Sequence, residues 1–173
     1  SSAITFPDLL EAVDKVKGIE RIRFISNHPK DASKRLFRAI RDLDKVCENL
    51  HLPLQSGSDK ILDLMNRKYK YEDYKEKIDL LRDMVPGVGL STDIIVGFPS
   101  EKEKDYRDTY KALEEIAFNS AFIFKYSPRP PAVSSCLIDD VSGPDKKKRN
   151  NELLTLQKKI SLRNNKELIG TEQ

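Results

Sequence analysis

Apolar residues along this chain switch repeatedly between a spacing of three to four and a spacing of two, and the switches predict its elements. In "TFPDLLEAVDKVKG" Thr5 is suited to cap a helix, Pro7 stands in the first turn and Gly18 ends the run. "RIRFISN", from Arg21 to Asn27, alternates and predicts a strand. "SKRLFRAIRDL" carries Leu36, Ile40 and Leu43 at helical spacing. Asn49 to Gln55 alternates again, and a short helix follows near "DKILDLM". In "YEDYKEKIDLLRDM" Ile78, Leu81 and Met84 share one helical face, and "PGVG" then turns the chain into a strand, "LSTDIIVGF". "EKDYRDTYKALEEI" predicts a helix and "SAFIFKYS" the last strand. A loop containing "PRPP" and "SGP" leads to a basic helix from about Lys146 to Leu168. Strands that alternate with helices of this length predict a parallel sheet built from βαβ units.

Splitting each strand into its two rows sharpens the architecture. Ile22 and Phe24 oppose Arg23 and Asn27; Leu50, Leu52 and Leu54 oppose His51, Pro53 and Gln55. Ile94, Val96 and Phe98 oppose Asp93, Ile95 and Gly97, and Phe122 and Phe124 oppose Ile123 and Lys125. The apolar rows are expected beneath helices, which leaves Arg23, Asn27, His51, Gln55, Asp93 and Lys125 on the other face. An open sheet covered by helices on both sides has central strands that are apolar on both faces. Half-polar strands fit a barrel, or part of one, with helices outside and a polar lumen. In such barrels sites lie at the C-terminal strand ends, here Gln55 to Ser58, Gly97 to Pro99, and Tyr126 with Ser127. A network of polar side chains that satisfy one another is the plainer reading of the same pattern.

Composition adds limits. Hydrophobic residues at 38% and charged residues at 34% suit one globular domain and argue against general disorder. The net charge of +3 is small, but from Asp145 onward eight Lys or Arg stand against four acids, beginning with "KKKR" at Lys146 to Arg149. Such a run is expected to be either a solvated helix face or a contact for nucleic acid. The two cysteines, Cys47 and Cys136, form no CxxC pair and no metal-ligand spacing, which suggests a reducing, cytoplasmic setting. No apolar stretch is long enough to span a bilayer. The chain opens on a helical pattern and stops at "GTEQ", so it is expected to be a piece of something longer.

"RIRFISNHPKD", "VCENLHLPLQSGSDKILDLMNRKY", "LSTDIIVGFPSE" and "SAFIFKYSPRP" resemble, in order and spacing, the radical SAM domain of MiaB-type methylthiotransferases. The similarity runs from about Thr5 to the final "LIG". "HLPLQSGS" with "MNR" and "TDIIVGF" marks methylthiotransferases as a group; "SNHPKD" and "FKYSPRP" point to the branch that modifies tRNA. The resemblance implies an α/β fold, a partial (β/α)6 TIM-like barrel of which this chain carries the last four parallel strands, outer helices and a basic C-terminal helix. It implies a single domain over residues 1–173, with a core to about 130 and a loop and helix from about 131. The family's N-terminal cluster domain and its TRAM domain have no counterpart here.

Such enzymes use a 4Fe-4S cluster and S-adenosylmethionine to form a deoxyadenosyl radical and put a methylthio group on an adenosine beside the tRNA anticodon. A second cluster in the N-terminal domain takes part in sulfur supply, and a second S-adenosylmethionine gives the methyl group. Gln55, Arg67 and Asp93 match the family's positions that hold S-adenosylmethionine. Arg67 suits its carboxylate through a two-pronged pair, Asp93 its ribose hydroxyls, and Gln55 can both donate and accept. Gly97 is expected to let backbone approach adenine, and Ser56 is a further candidate contact, although capping the next helix explains a serine there equally well. The CxxxCxxC loop that holds the radical cluster is absent, and two cysteines cannot replace it. The cluster ligands are therefore expected elsewhere in the parent, the chain alone is expected to be inactive, and no catalytic or metal residue is assigned. Ser100 stands where glycine is usual, and "RPPAVSS", with Pro131, replaces the usual "RPGTPA". A tRNA anticodon stem-loop is the expected partner, with the basic helix as a phosphate contact and no membrane; the oligomeric state is open. The alternatives are a methylthiotransferase acting on a ribosomal-protein aspartate, and a non-catalytic half-barrel that binds RNA.

Overall fold

The computed structural model describes residues 4–25 and 28–170. Three strands, β1 (Asn49–His51), β2 (Gly89–Val96) and β3 (Ser120–Lys125), form a parallel sheet in the order β1-β2-β3. Helices α1 (Phe6–Asp14) and α2 (Lys34–Asp42) precede it, α3 (Asp59–Leu64) and α4 (Tyr71–Met84) link β1 to β2, and α5 (Glu103–Ile116) links β2 to β3. Two short 3-10 turns, Pro29–Asp31 and Val133–Cys136, and a long helix, α6 (Gly143–Glu167), complete the chain.

Local chemistry sets the helix ends. At Thr5 the backbone N–H donates to Asp8 Oδ2 at 2.8 Å, which starts α1 where the cap was expected. The helix stops at Asp14 rather than Gly18, because the Lys45 ammonium takes the carbonyls of Asp14 and Val16. Ser33 caps α2 by accepting from Leu36 N–H at 3.2 Å, and Ser142 caps α6 by accepting from Asp145 N–H at 3.2 Å.

The predicted strand from Arg21 contracts to a single parallel bridge between Ile22 and Val46. Ile22 N–H donates to Lys45 carbonyl at 2.6 Å and Cys47 N–H to Ile22 carbonyl at 2.9 Å. Beyond this bridge Ile25 is exposed, and Ser26 and Asn27 lie outside the described residues. Alternation read the extended backbone correctly there, but only one residue meets a neighbour to pair with.

The stretch from Asn49 to Gln55 runs along β2, yet its ladder is interrupted. His51 pairs with Ser91 and Gln55 with Ile94, so four steps on one strand match three on the other, as in a bulge. Pro53 has no N–H to give. Side chains fill the gap: Thr92 Oγ1 accepts from Leu54 N–H and donates to Leu52 carbonyl, both at 2.9 Å. Tyr74 donates to Leu52 carbonyl at 2.7 Å, and Tyr69 to Leu54 carbonyl at 3.0 Å. Burial pushes the Tyr69 phenol up to about 12, so it remains a donor at neutral pH.

Leu50, Leu52, Leu54, Ile94 and Val96 are buried beneath the helices, in one cluster with Leu10, Ile78, Leu113, Leu153 and Ile160. Each fully buried side chain of this size contributes roughly 1.5–3 kcal/mol. On the last strand the expected rows are reversed. Phe122 pairs with Asp93 and Phe124 with Ile95, so both phenylalanines stand on the lumen face, 55% and 53% exposed, while Ile123 packs against the core. Period two separates two rows without saying which is inward, and the more apolar row is here the outward one. The lumen face is therefore mixed rather than polar.

Candidate functional site

A cavity of about 680 Å³ opens at the C-terminal ends of the strands. Its walls are mainly apolar, with Met65, Ile95, Phe98, Phe124 and Leu137, a composition typical of small-molecule sites. Gln55 and Arg67 line it together, brought from the end of the first strand and from the turn after α3. Gln55 has φ +71°, a left-handed backbone that costs a side-chain-bearing residue about 1–2 kcal/mol. That conformation turns the chain; the Gln55 backbone N–H donates to the Asp93 carbonyl at 2.8 Å, while its side-chain amide forms no hydrogen bond within the described residues. The Arg67 backbone is fixed by its N–H to the Leu62 carbonyl at 2.8 Å, while its guanidinium pairs with no carboxylate among the described residues.

Asp93 does not line the cavity, but it lies on the same sheet face two residues before Ile95, which does. His51 Nε2 approaches Asp93 Oδ2 at 3.3 Å, and His51 Nδ1 lies 3.0 Å from Ser91 Oγ. With Ser91 donating to Nδ1, Nε2–H donates to Asp93 and aims its carboxylate. His51 of β1 is thus tied to Ser91 and Asp93 of β2, and the Phe122 ring packs edge-on to His51 at 6.1 Å.

Ser56 and Gly97, expected as cofactor contacts, do not line the cavity. The Ser56 hydroxyl is buried 3.1 Å from Thr109 Oγ1 and accepts from Ser58 N–H at 3.2 Å. Ser58 donates to Asp105 Oδ1 at 2.8 Å rather than capping α3 through its side chain. Between them, Gly57 lies so close to α5 that an added Cβ would meet the Asp108 carbonyl oxygen at 2.5 Å. The turn after Gln55 is therefore docked on α5, which holds Gln55 in place. Gly97 has φ +71°, and the space of its missing side chain is taken by Lys146, whose Cγ would lie 2.3 Å from a Cβ.

Glu101 is the residue that sequence reasoning missed. It is buried, accepts from Gly97 N–H at 2.8 Å and pairs with Arg149 at 2.8 Å. Burial pushes its carboxyl above the ordinary value, against the opposing pull of Arg149 and backbone N–H groups. Its one signal was its place four residues past Gly97, on a turn at a strand end. Lys146 is likewise only 8% exposed, with Nζ 2.6 Å from Asp139. Half of the "KKKR" run thus works inside the protein, and only Lys147 and Lys148 face solvent. Ser100 has φ +70°, which accounts for the glycine expected there, and its N–H donates to Asp140 Oδ1 at 2.6 Å.

Among the described residues no group of three or more His, Cys, Asp or Glu could hold a metal ion, and Cys47 and Cys136 are free thiols. The described residues therefore do not fit an iron–sulfur cluster, which takes about four thiolate ligands. No helix among the described residues is long and apolar enough to cross a membrane.

Comparison with known proteins gives this cavity a setting. The chain is 51% identical over 97% of its length to a tRNA-2-methylthio-N(6)-dimethylallyladenosine synthase of Thermodesulfovibrio yellowstonii, and it spans 39% of that protein. The enzyme of the same name from Thermoanaerobacter pseudethanolicus is 50% identical over 96% of the chain, which spans 36% of it. The chain thus spans well under half the length of these relatives. Its structure matches the radical SAM enzyme coproporphyrinogen III oxidase of Escherichia coli with a TM-score of 0.63 at 17% identity, over 77% of this chain and 31% of that one. That likeness concerns the fold alone, a partial TIM-like barrel. Residues 3–113 match the Radical SAM superfamily, and the chain belongs to it.

Proposed function

We propose that this chain is the C-terminal part of the barrel of a tRNA methylthiotransferase, a cytoplasmic enzyme that puts a methylthio group on a dimethylallyl-modified adenosine beside the anticodon. The observation that carries this reading is the 51% identity to a tRNA-2-methylthio-N(6)-dimethylallyladenosine synthase across nearly the whole chain. In this reading the chain is one domain of a longer protein, and the cluster ligands belong to the remainder. S-adenosylmethionine bound in the cavity would supply the reactive and methyl-donating chemistry.

The chain's own residues would bind and orient it. Arg67 would hold the carboxylate through paired N–H donors, the otherwise unbonded Gln55 amide would meet the amino acid or sugar, and Asp93, aimed by His51, would accept from ribose hydroxyls. Gly97 and Ser56 would act at one remove, by holding Lys146 and the turn after Gln55. The mainly apolar walls would limit the water around it. Support for the fit comes from the polar groups the cavity leaves without partners, which are the donors and acceptors an amino-acid nucleoside needs.

The test is nucleoside analysis of tRNA from cells lacking the full-length gene, with and without its restoration. Return of 2-methylthio-dimethylallyladenosine is the expected result. Return of a methylthio group on a ribosomal-protein aspartate instead would replace this reading by the protein-modifying one.

A further inference from the structure

The cavity carries three cations and no acid. Arg67, Lys125 and Arg129 line it, and no Asp or Glu does. Several other cations near it are paired: Lys60 with Asp105, Lys102 with Asp140, Lys146 with Asp139 and Arg149 with Glu101. None of the three cavity cations engages a carboxylate among the described residues. Like charges gathered on an apolar wall, with no counter-charge, attract an anion more strongly than dispersed surface charges do. The carboxylate of S-adenosylmethionine would satisfy Arg67, which leaves Lys125 and Arg129.

These two are presented by a fixed scaffold. Lys125 is the last residue of β3; it shares the row of Ile123 and borders the cavity from the strand end. Arg129 follows four residues later, flanked by Pro128, Pro130 and Pro131, whose rings fix their backbone. The Ala132 N–H donates to the Arg129 carbonyl at 2.9 Å, and Tyr126 ties the loop by donating to the Ser134 carbonyl at 2.8 Å. Asp139 and Asp140 then pin the far end of the loop to Lys146 and Lys102. A cation held in place before binding loses little entropy when it meets its ligand. In the basic helix Lys146 and Arg149 are taken by ion pairs, while Lys147 and Lys148 face solvent.

We propose, resting on the tRNA reading above, that Lys125 and Arg129 grip a backbone phosphate of the RNA at the mouth of the cavity. A phosphodiester offers two acceptor oxygens, which suit a guanidinium fork beside an ammonium. The grip would seat the target nucleotide against the Phe124 and Leu137 wall while Arg67 keeps the cofactor.

The test uses the full-length protein and the anticodon stem-loop RNA, with the dissociation constant measured over a salt series. Lys125→Gln with Arg129→Gln should lower the slope of log affinity against log salt by about 0.7–0.9 for each phosphate no longer neutralised. Arg129→Lys, which keeps the charge, should recover most of the slope. Affinity for S-adenosylmethionine should not change. Lys147→Gln with Lys148→Gln should affect the slope less. An unchanged slope in the Lys125 and Arg129 variant would overturn the inference alone. Weakened S-adenosylmethionine binding in that variant would assign Arg129 to the cofactor and also overturn it. Failure of the unaltered protein to bind the RNA at all would overturn the tRNA reading and the inference together.

Discussion

The two faces of the sheet obey different rules. Under the helices, Leu50, Leu52, Leu54 and Ile94 are fully buried, and every irregularity of the strand is met by a partner such as Thr92 or Tyr74. On the lumen face, Phe122 and Phe124 are half exposed, Gln55 has an unbonded amide, and Arg67 pairs with no carboxylate among the described residues. The first face is closed on itself and serves stability. The second leaves both apolar surface and polar groups uncommitted, which is what a binding surface requires.

The largest expected effect tests the closed face. Leu54→Ala should cost about 2–5 kcal/mol of unfolding free energy in a urea titration, because the helices cannot collapse fully into the space. Thr92→Val should cost less, about 1–3 kcal/mol, since it keeps the shape but strands the Leu54 N–H and leaves the Leu52 carbonyl with Tyr74 as its side-chain donor. A loss as large as that of Leu54→Ala would mean that the hydroxyl, and not packing, dominates this face. Phe122→Ser, on the open face, should stay within about 0.5 kcal/mol of the unaltered protein. A loss comparable to a core truncation would show that the two faces do not differ as described.

Much of this was legible in the sequence, and the failures have specific causes. Helix α5 begins and ends within the predicted segment, and α4 matches its pattern, because both carry strong periodicity between clear breakers. The pairing of Gln55 with Arg67 on one cavity followed from strand-end position and from the resemblance. The reversed row of β3 was not legible, since Phe122 and Phe124 look like core residues until the sheet's register assigns them a face. The pattern does not single out Glu101, and it leaves Lys146 and Arg149 on a solvated face or against nucleic acid, because their partners come from distant segments, α6 folding back over the turn after β2. The strand at Arg21 failed for a related reason, in that pairing depends on a neighbour and alternation does not.

In the proposed function the open face holds S-adenosylmethionine, with Arg67 on its carboxylate. The most direct test is calorimetric titration of the full-length protein and its Arg67→Gln variant with S-adenosylmethionine and with its decarboxylated analogue. A charge-assisted hydrogen bond contributes about 1.5–3 kcal/mol, so the variant should bind S-adenosylmethionine roughly tenfold or more weakly. Its affinity for the decarboxylated analogue should be unaltered. Equal loss for both compounds, or no loss for either, would contradict the account.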